Sequence, residues 1–106
     1  MTHLLRDIVR QPAELQRTLE LLTGKGKSAL DRAAAAIRGA SRIYLTGLGS
    51  SWHAALAAGA LFQRSGRPAY LLEASELLHF SSIPEDSVLI VISRTGRSAE
   101  IVSLLP

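Results

Sequence analysis

The run Val88-Leu89-Ile90-Val91-Ile92 is aliphatic at every position, with Asp86-Ser87 before it and Ser93-Arg94-Thr95-Gly96-Arg97-Ser98 after it. It is the longest such run in the chain and falls far short of the roughly 20 apolar residues that a membrane-spanning helix needs. It also lacks the apolar–polar alternation of a strand with one wet face. The pattern is that of a parallel strand, Ser87 to Ile92, buried on both faces. Such a strand requires covering helices, because parallel neighbours are joined by crossover segments that pack on the sheet.

The rest of the chain supplies those partners. Arg42-Ile43-Tyr44-Leu45-Thr46 is β-branched and aromatic and reads as a first strand. Pro68-Ala69-Tyr70-Leu71-Leu72-Glu73 reads as a second strand, with proline tolerated at its first position. Between them Trp52 to Gln63 is helical and rich in Ala, which lets it lie close against a sheet. Ala74 to Phe80 is a short helix, Pro84-Glu85-Asp86 a turn, and Ser98 to Leu105 a further helix that stops at Pro106. Strand and helix thus alternate three times, the signature of right-handed βαβ units. Upstream, Thr2 to Val9 forms one helix. Gln11-Pro12 starts a second that carries Leu15, Leu19 and Leu22, and Ser28 caps a third that runs through Ala33 to Ile37 and closes at Gly39. The expected organisation is N-terminal helices over residues 1–40 and an α/β unit, a three-layer parallel sheet, over residues 41–106.

Composition narrows the function. With 106 residues the chain suits one compact domain and a single site. Cysteine is absent, which excludes disulfides, a thiol nucleophile and thiolate metal ligation. The net charge of +3 is spread from Arg6 to Arg97, and the few aromatic residues form no base-stacking platform, so nucleic acid is not an expected partner. No export signal or membrane span is legible, and the cytoplasm is the expected compartment.

Two loops carry the candidate chemistry, both at the carboxyl ends of strands, where ligands collect in open parallel sheets. The loop Ser93 to Ser98 offers hydroxyls from Ser93, Thr95 and Ser98, backbone freedom at Gly96, and the cations Arg94 and Arg97. A helix N-terminus preceded by such a loop suits an anion. The same residues would also serve an ordinary turn with Ser98 as the helix cap.

Gly47-Leu48-Gly49-Ser50-Ser51-Trp52 has two readings. One is a dinucleotide fingerprint, with Glu73 where a ribose-binding acid would sit, although Trp52 replaces its third small residue. The other is a short Gly-Ser loop that joins Ser93 to Ser98 around one phosphate. His3, His53 and His79 lack the partners of a metal pair, and no metal site or cofactor is expected. Glu73 and Glu76 are one helical turn apart and suit a surface face as well as proton transfer.

In four segments the chain resembles the sugar isomerase (SIS) family, in particular the isomerase domain of glucosamine-6-phosphate synthase and its sugar-phosphate isomerase and deaminase relatives. Asp7-Ile8-Val9-Arg10-Gln11-Pro12 is similar to the family's acidic-Ile-x-x-Gln-Pro opening. Gly49-Ser50-Ser51-Trp52 is similar to its Gly-Thr/Ser-Ser-Tyr loop, Glu73-Ala74-Ser75-Glu76 to its Ala-Ser-Glu segment, and Ser93 to Ser98 to its Ser-Gln-Ser-Gly-Glu-Thr loop. Arg94 stands where the family commonly has Gln, and Arg97 where it has Glu.

The resemblance implies a doubly wound sheet of which only the first three strands are present, and a homodimer. It also implies a sugar phosphate, a hexose or hexosamine 6-phosphate, contacted by Ser51, Ser93, Thr95 and Ser98; together with the reading of the two loops, the candidate binding residues are Gly49, Ser50, Ser51, Ser93, Arg94, Thr95, Gly96 and Ser98. The function implied is phosphosugar binding, from an aldose–ketose isomerase or an aminosugar-phosphate deaminase or synthase. A non-catalytic sugar-phosphate sensor and a dinucleotide-binding domain are the alternatives. The family's ring-opening His, proton-shuttling Glu and C-terminal Lys belong to segments beyond residue 106, so the expectation is a half-domain that is catalytically silent by itself.

Overall fold

The computed structural model describes residues 2–80 and 82–104. The chain falls into two compact units, Met1–Arg38 and Gly39–Pro106.

The first unit is helical. Helix α1 (His3–Thr23) opens on Thr2, whose hydroxyl accepts from the Leu5 N–H at 3.1 Å. It runs through Pro12 without a break, so the two helices expected on either side of Pro12 are one. Proline removes only its own donor and crowds one carbonyl, a local cost of about 3 kcal/mol. Side chains bridge successive turns beyond it. Arg17 pairs with Glu14 at 3.0 Å, and the hydroxyls of Thr18 and Thr23 bond the carbonyls of Glu14 and Leu19. Gly24 and Gly26 turn the chain, both N–H groups bonding the Leu21 carbonyl.

Helix α2 (Lys27–Gly39) follows at once. Its first bond runs from the Leu30 N–H to the Gly26 carbonyl, so Ser28 lies inside the helix rather than capping it. Lys27 and Asp31 pair at 2.9 Å across the first turn. Neither helix buries a residue.

The second unit contains the sheet. Strands β1 (Arg42–Gly47), β2 (Tyr70–Leu71) and β3 (Ser87–Ile92) are parallel and ordered β2-β1-β3. The pairing of β1 with β3 is in register from Arg42↔Ser87 to Gly47↔Ile92. Helices α3 (Ser50–Arg64), α4 (Ala74–Phe80) and α5 (Ala99–Leu104) alternate with the strands. The crossover from β1 to β2 runs one way along the sheet, and that from β2 to β3 returns past β1. Right-handed connections in opposite directions put α3 on one face and α4 on the other, where it packs against α5. The chain therefore has the expected α/β architecture, a three-stranded parallel sheet flanked by helices. The expected end of the last helix, at Leu105 and Pro106, lies outside the described residues.

Two strand expectations need correction. β2 is limited to Tyr70–Leu71 instead of running from Pro68 to Glu73, although the Leu72 N–H still reaches the Leu45 carbonyl at 3.2 Å. β3 is half-buried along its whole length rather than buried on both faces. It stands at the edge of the described sheet, whereas β1 lies between two neighbours and is buried from Ile43 to Gly47.

The core is small and centred on β1. Ile43, Tyr44 and Leu45 meet Ala55 of α3, Ala74 and Leu77 of α4, and Ile101 of α5 as the buried apolar set. Small residues set the closest approaches. A Cβ at Gly59 would lie 3.0 Å from a methyl of Leu71, and a Cβ at Gly47 would lie 2.6 Å from the Ser51 carbonyl oxygen. In the second case the obstacle is backbone, so α3 would have to move. Gly47→Ala is expected to lower stability by about 1–3 kcal/mol, the usual range for overpacking. Urea denaturation measures it, and a midpoint equal to that of the wild type would refute the packing argument.

A polar clasp joins the starts of β1 and β3. The Ser41 N–H donates to the Asp86 carbonyl at 2.9 Å. A hydrogen bond from the Ser41 side chain, aided by the Arg42 guanidinium, holds the Asp86 carboxyl below its ordinary 3.8. A carboxyl depressed in the folded state stabilises at pH above its unfolded value, and that contribution disappears as the pH falls through the folded value. Asp86→Asn should therefore be less stable than the wild type at neutral pH. The difference should narrow as the pH falls below 3.8, which urea midpoints followed downward from pH 7 would show.

Candidate functional site

Because Gly47 and Ile92 are register partners, β1 and β3 release their chains at the same level of the sheet. The strand order reverses between these strands, the position at which open α/β sheets form a ligand crevice. From β1 the chain turns through Leu48 and Gly49 directly into α3. Gly49 has φ +62°, a left-handed conformation that costs glycine little, and nothing lies within 4 Å of where its Cβ would be. Its requirement is conformational. The turn is closed by bonds from the Ser51 N–H to Leu48 and from the Trp52 N–H to Gly49. Gly49 has no side chain to cap α3, so the positive end of this 15-residue helix carries no side-chain cap bond.

The second loop leaves β3 at Ser93 and folds back on its own hydroxyls. Ser93 Oγ accepts from the Gly96 N–H at 2.8 Å, and Thr95 Oγ1 accepts from the Arg97 N–H at 3.2 Å. Gly96 has φ +69° and, like Gly49, open space at its Cβ position. Each hydroxyl that accepts a backbone proton keeps its own proton to donate. Ser98 precedes α5, and its carbonyl takes the first bond of that helix, from the Val102 N–H at 2.9 Å.

The two loops share one open cavity of about 210 Å³. Ser50 and Ser51 line it from the first loop, and Ser93, Arg94, Thr95 and Ser98 from the second. Leu48, Ile92 and Ile101 supply its apolar walls. Six of the eight residues singled out from the sequence thus line a single cavity. Gly49 and Gly96 stand outside the lining and set the backbone turns of the two loops.

Leu48, Ile92 and Ile101 had no counterpart in the sequence reading, although two of them were within reach of it. Ile92 ends the aliphatic run, and Ile101 follows Ser98 by three residues, one turn along the same helix face.

Other candidate residues lie elsewhere. Arg97 is exposed and outside the lining, as are Glu73 and Glu76. Glu73 instead starts α4, its carbonyl accepting from the Leu77 N–H at 2.9 Å. Arg94 is exposed at the cavity rim, and among the described residues no ion pair joins it to Glu100. The described residues contain no group of three His, Cys, Asp or Glu that could hold a metal ion. No helix of the described residues is long and apolar enough to cross a membrane.

Chemically, the cavity presents five hydroxyls and one guanidinium, with no carboxylate among the described residues that line it. Hydroxyl donors converging beside a helix N-terminus suit a tetrahedral oxyanion.

Comparison with known proteins gives a consistent result. A family model described as "SIS domain" matches residues 36–106. Arabinose 5-phosphate isomerase of Francisella tularensis is 41% identical over 71 residues, which cover 65% of this chain and 22% of that protein. The isomerizing glutamine–fructose-6-phosphate aminotransferase of Pyrococcus horikoshii is 34% identical over 105 residues, covering 96% of this chain and 17% of that protein. The arabinose 5-phosphate isomerase of Pseudomonas aeruginosa is 32% identical over 72 residues, 66% of this chain. No solved structure matches the chain at a significant level. The chain spans about a fifth of the length of these curated relatives.

Proposed function

This chain belongs to the SIS domain family, and from that premise we propose that the crevice between the ends of β1 and β3 binds a sugar phosphate. The observation that carries the reading is the convergence of Ser50, Ser51, Ser93, Thr95 and Ser98 on one cavity with no carboxylate among the described residues that line it. On this reading Ser51, Ser93, Thr95 and Ser98 donate to the phosphate oxygens, Ser50 adds a donor from the first turn of α3, and Gly49 and Gly96 fix the two turns. Residues 1–40 form a helical N-terminal segment, and residues 41–106 the phosphosugar-binding segment. The substrate is a hexose or hexosamine 6-phosphate or a related aldose phosphate, and two chains assemble as a homodimer. The names of the relatives support the chemical class, since one acts on arabinose 5-phosphate and the other on fructose 6-phosphate.

Moving a proton between neighbouring carbons of a sugar needs an acid and a base. Among the described residues that line the cavity there is no carboxylate, imidazole or amine. The proposed role of the described residues is therefore to bind and orient the phosphate end, and the isolated 106-residue chain should hold a sugar phosphate without isomerising it.

Replacing both Ser93 and Ser98 by Ala should weaken fructose 6-phosphate binding by well over tenfold, because hydrogen bonds to a charged acceptor contribute about 1.5–3 kcal/mol each. Ser93→Ala also releases the Gly96 N–H, whereas Ser98→Ala breaks no side-chain hydrogen bond among the described residues and is the cleaner probe. Calorimetric titration with fructose 6-phosphate, with fructose as the uncharged control, measures the effect. Unchanged affinity in the double variant would remove the assignment.

Arg94 should act through charge. Its exposure leaves any attraction to a phosphate open to screening by salt. Arg94→Gln is expected to reduce affinity and to flatten its dependence on ionic strength between low and physiological salt. A variant with the same affinity and the same salt slope as the wild type would place Arg94 outside the binding site.

A further inference from the structure

Helix α1 carries a continuous apolar stripe along one side. Leu5, Ile8, Pro12, Leu15, Leu19 and Leu22 follow one another at alternating spacings of three and four residues, the repeat of a coiled-coil seam. Every one of them is exposed, Leu15 by 71%, and no residue of the helix is buried. The helix has 21 residues and is about 32 Å long at 1.5 Å per residue.

The charges of α1 are kept off this side. Arg6, Arg10 and Arg17 share the opposite face with Asp7, Glu14 and Glu20, while Gln11, Gln16, Thr18 and Thr23, which flank the seam, are uncharged. Three cations against three anions leave the polar face without the basic excess by which an amphipathic helix holds an anionic lipid surface. They also create no net field that would draw in a strongly charged protein. A second copy of the same helix needs neither. With no charge on or beside the seam, two copies bring no like charges together.

The exposed area fits the same occupant. Leu4 and Val9 widen the stripe at its amino-terminal end, and with the five Leu and Ile residues of the seam they leave about 700 Å² of apolar surface open per copy. A monomer rarely exposes a continuous apolar patch beyond about 600 Å². A stable interface buries about 800 Å² on each partner.

We propose that α1 is a self-association surface, on which α1 of a second copy lies antiparallel. The spacing of the seam reads the same in both directions, so a two-fold axis through its midpoint matches it to itself. Leu5 then meets the partner's Leu22, Ile8 the partner's Leu19, and Pro12 the partner's Leu15. A parallel pair would set two prolines against each other in mid-seam, where the short rings leave a gap that leucine fills. Antiparallel helices also place opposite ends of their macrodipoles side by side. This pairing rests on the homodimer proposed above and supplies its surface. Its test contains no sugar phosphate, so the pairing can fail while the assignment of the crevice stands.

Sedimentation equilibrium of the 106-residue chain should show a reversible monomer–dimer equilibrium between about 1 and 100 μM. Leu15→Glu combined with Leu19→Glu puts carboxylates into the seam and should weaken the dimer about hundredfold or more. Helical circular dichroism should be retained, because both positions are exposed in the single chain. The chain has no cysteine, so introduced thiols report the orientation. Mild oxidation of Leu5→Cys mixed with Leu22→Cys should trap disulfide-linked dimers, and either variant alone should give few. A chain that stays monomeric throughout this range overturns the proposal, whether or not vesicles of anionic lipid carry it down. So does a dimer that the two glutamates leave intact, which would put the interface elsewhere. Disulfides formed as readily by each cysteine variant alone as by the mixture overturn the antiparallel pairing, even if the glutamate variant fails to fold.

Discussion

The parallel pairing of β1 with β3 is the constraint on which the candidate site depends. Six residue pairs hold the two strands in register, and the last, Gly47↔Ile92, sets both exits at one height. A slip of one residue would turn every inward side chain of β3 outward. A slip of two would preserve the faces but move one loop by about 6.6 Å relative to the other, at 3.3 Å per residue. Five hydroxyls could not then border one cavity of 210 Å³. The polar clasp at the opposite end, where Ser41 meets Asp86, pins the same register from its other terminus.

Close packing at the turn into α3 makes the same demand from another direction. The helix begins at Ser50, only three residues after the last residue of β1, and the space where a Gly47 side chain would go is filled by the backbone of Ser51 and Trp52. This brings Ser50 and Ser51 to the wall of the cavity and directs the first turn of α3 at it. Glycine at positions 49 and 96 does a different job. Neither has a neighbour that a side chain would strike, and both lie at positive φ, so each is needed for its backbone angle alone. The sequence motif Gly-x-Gly in Gly47-Leu48-Gly49 thus combines two physical requirements that look identical in one-letter code.

What could be read from the sequence follows from how local each cause is. The loop from Ser93 to Ser98 was legible because hydroxyls, glycine and a following helix lie within a few residues of one another. So were the limits of β3 and α4, which the structure places at Ser87–Ile92 and Ala74–Phe80. Pro12 misled because its penalty is a single missing bond, and the helix on either side is intact enough to absorb it. The burial of β3 was misjudged because an aliphatic run records how apolar a strand is and not whether it has neighbours on both sides. Tertiary position decided that, and the more mixed sequence of β1, with Arg42 and Thr46, occupies the centre. Thr46 shows the consequence. Among the described residues its fully buried hydroxyl has no hydrogen-bond partner, a polar group retained where burial alone would favour an apolar one.

A second cavity lies at the amino-terminal edge of the sheet, and the two divide the charge of the second unit in an orderly way. Among the described residues, Arg94 is the one cationic residue that lines the carboxyl-edge cavity, and Arg42 and Arg67 are the two that line the amino-edge cavity. Acidic groups stay away from the first. At the second, Asp86 stands behind Arg42 and takes part in fixing the strand ends. Strand β1 joins the two, with Arg42 at its start and Leu48 just past its end, about 20 Å apart for six residues at 3.3 Å each. At that distance charges across a solvated surface are beyond a Debye length of about 8 Å at physiological salt, so charge at one edge has little direct Coulomb effect at the other. Any influence of one edge on the other would have to pass through the position of β1 itself. The in-register ladder to β3, the Ser41–Asp86 clasp and the backbone packed at Gly47 all oppose movement of that strand. A rigid central strand therefore favours two edges whose geometries are independent of each other.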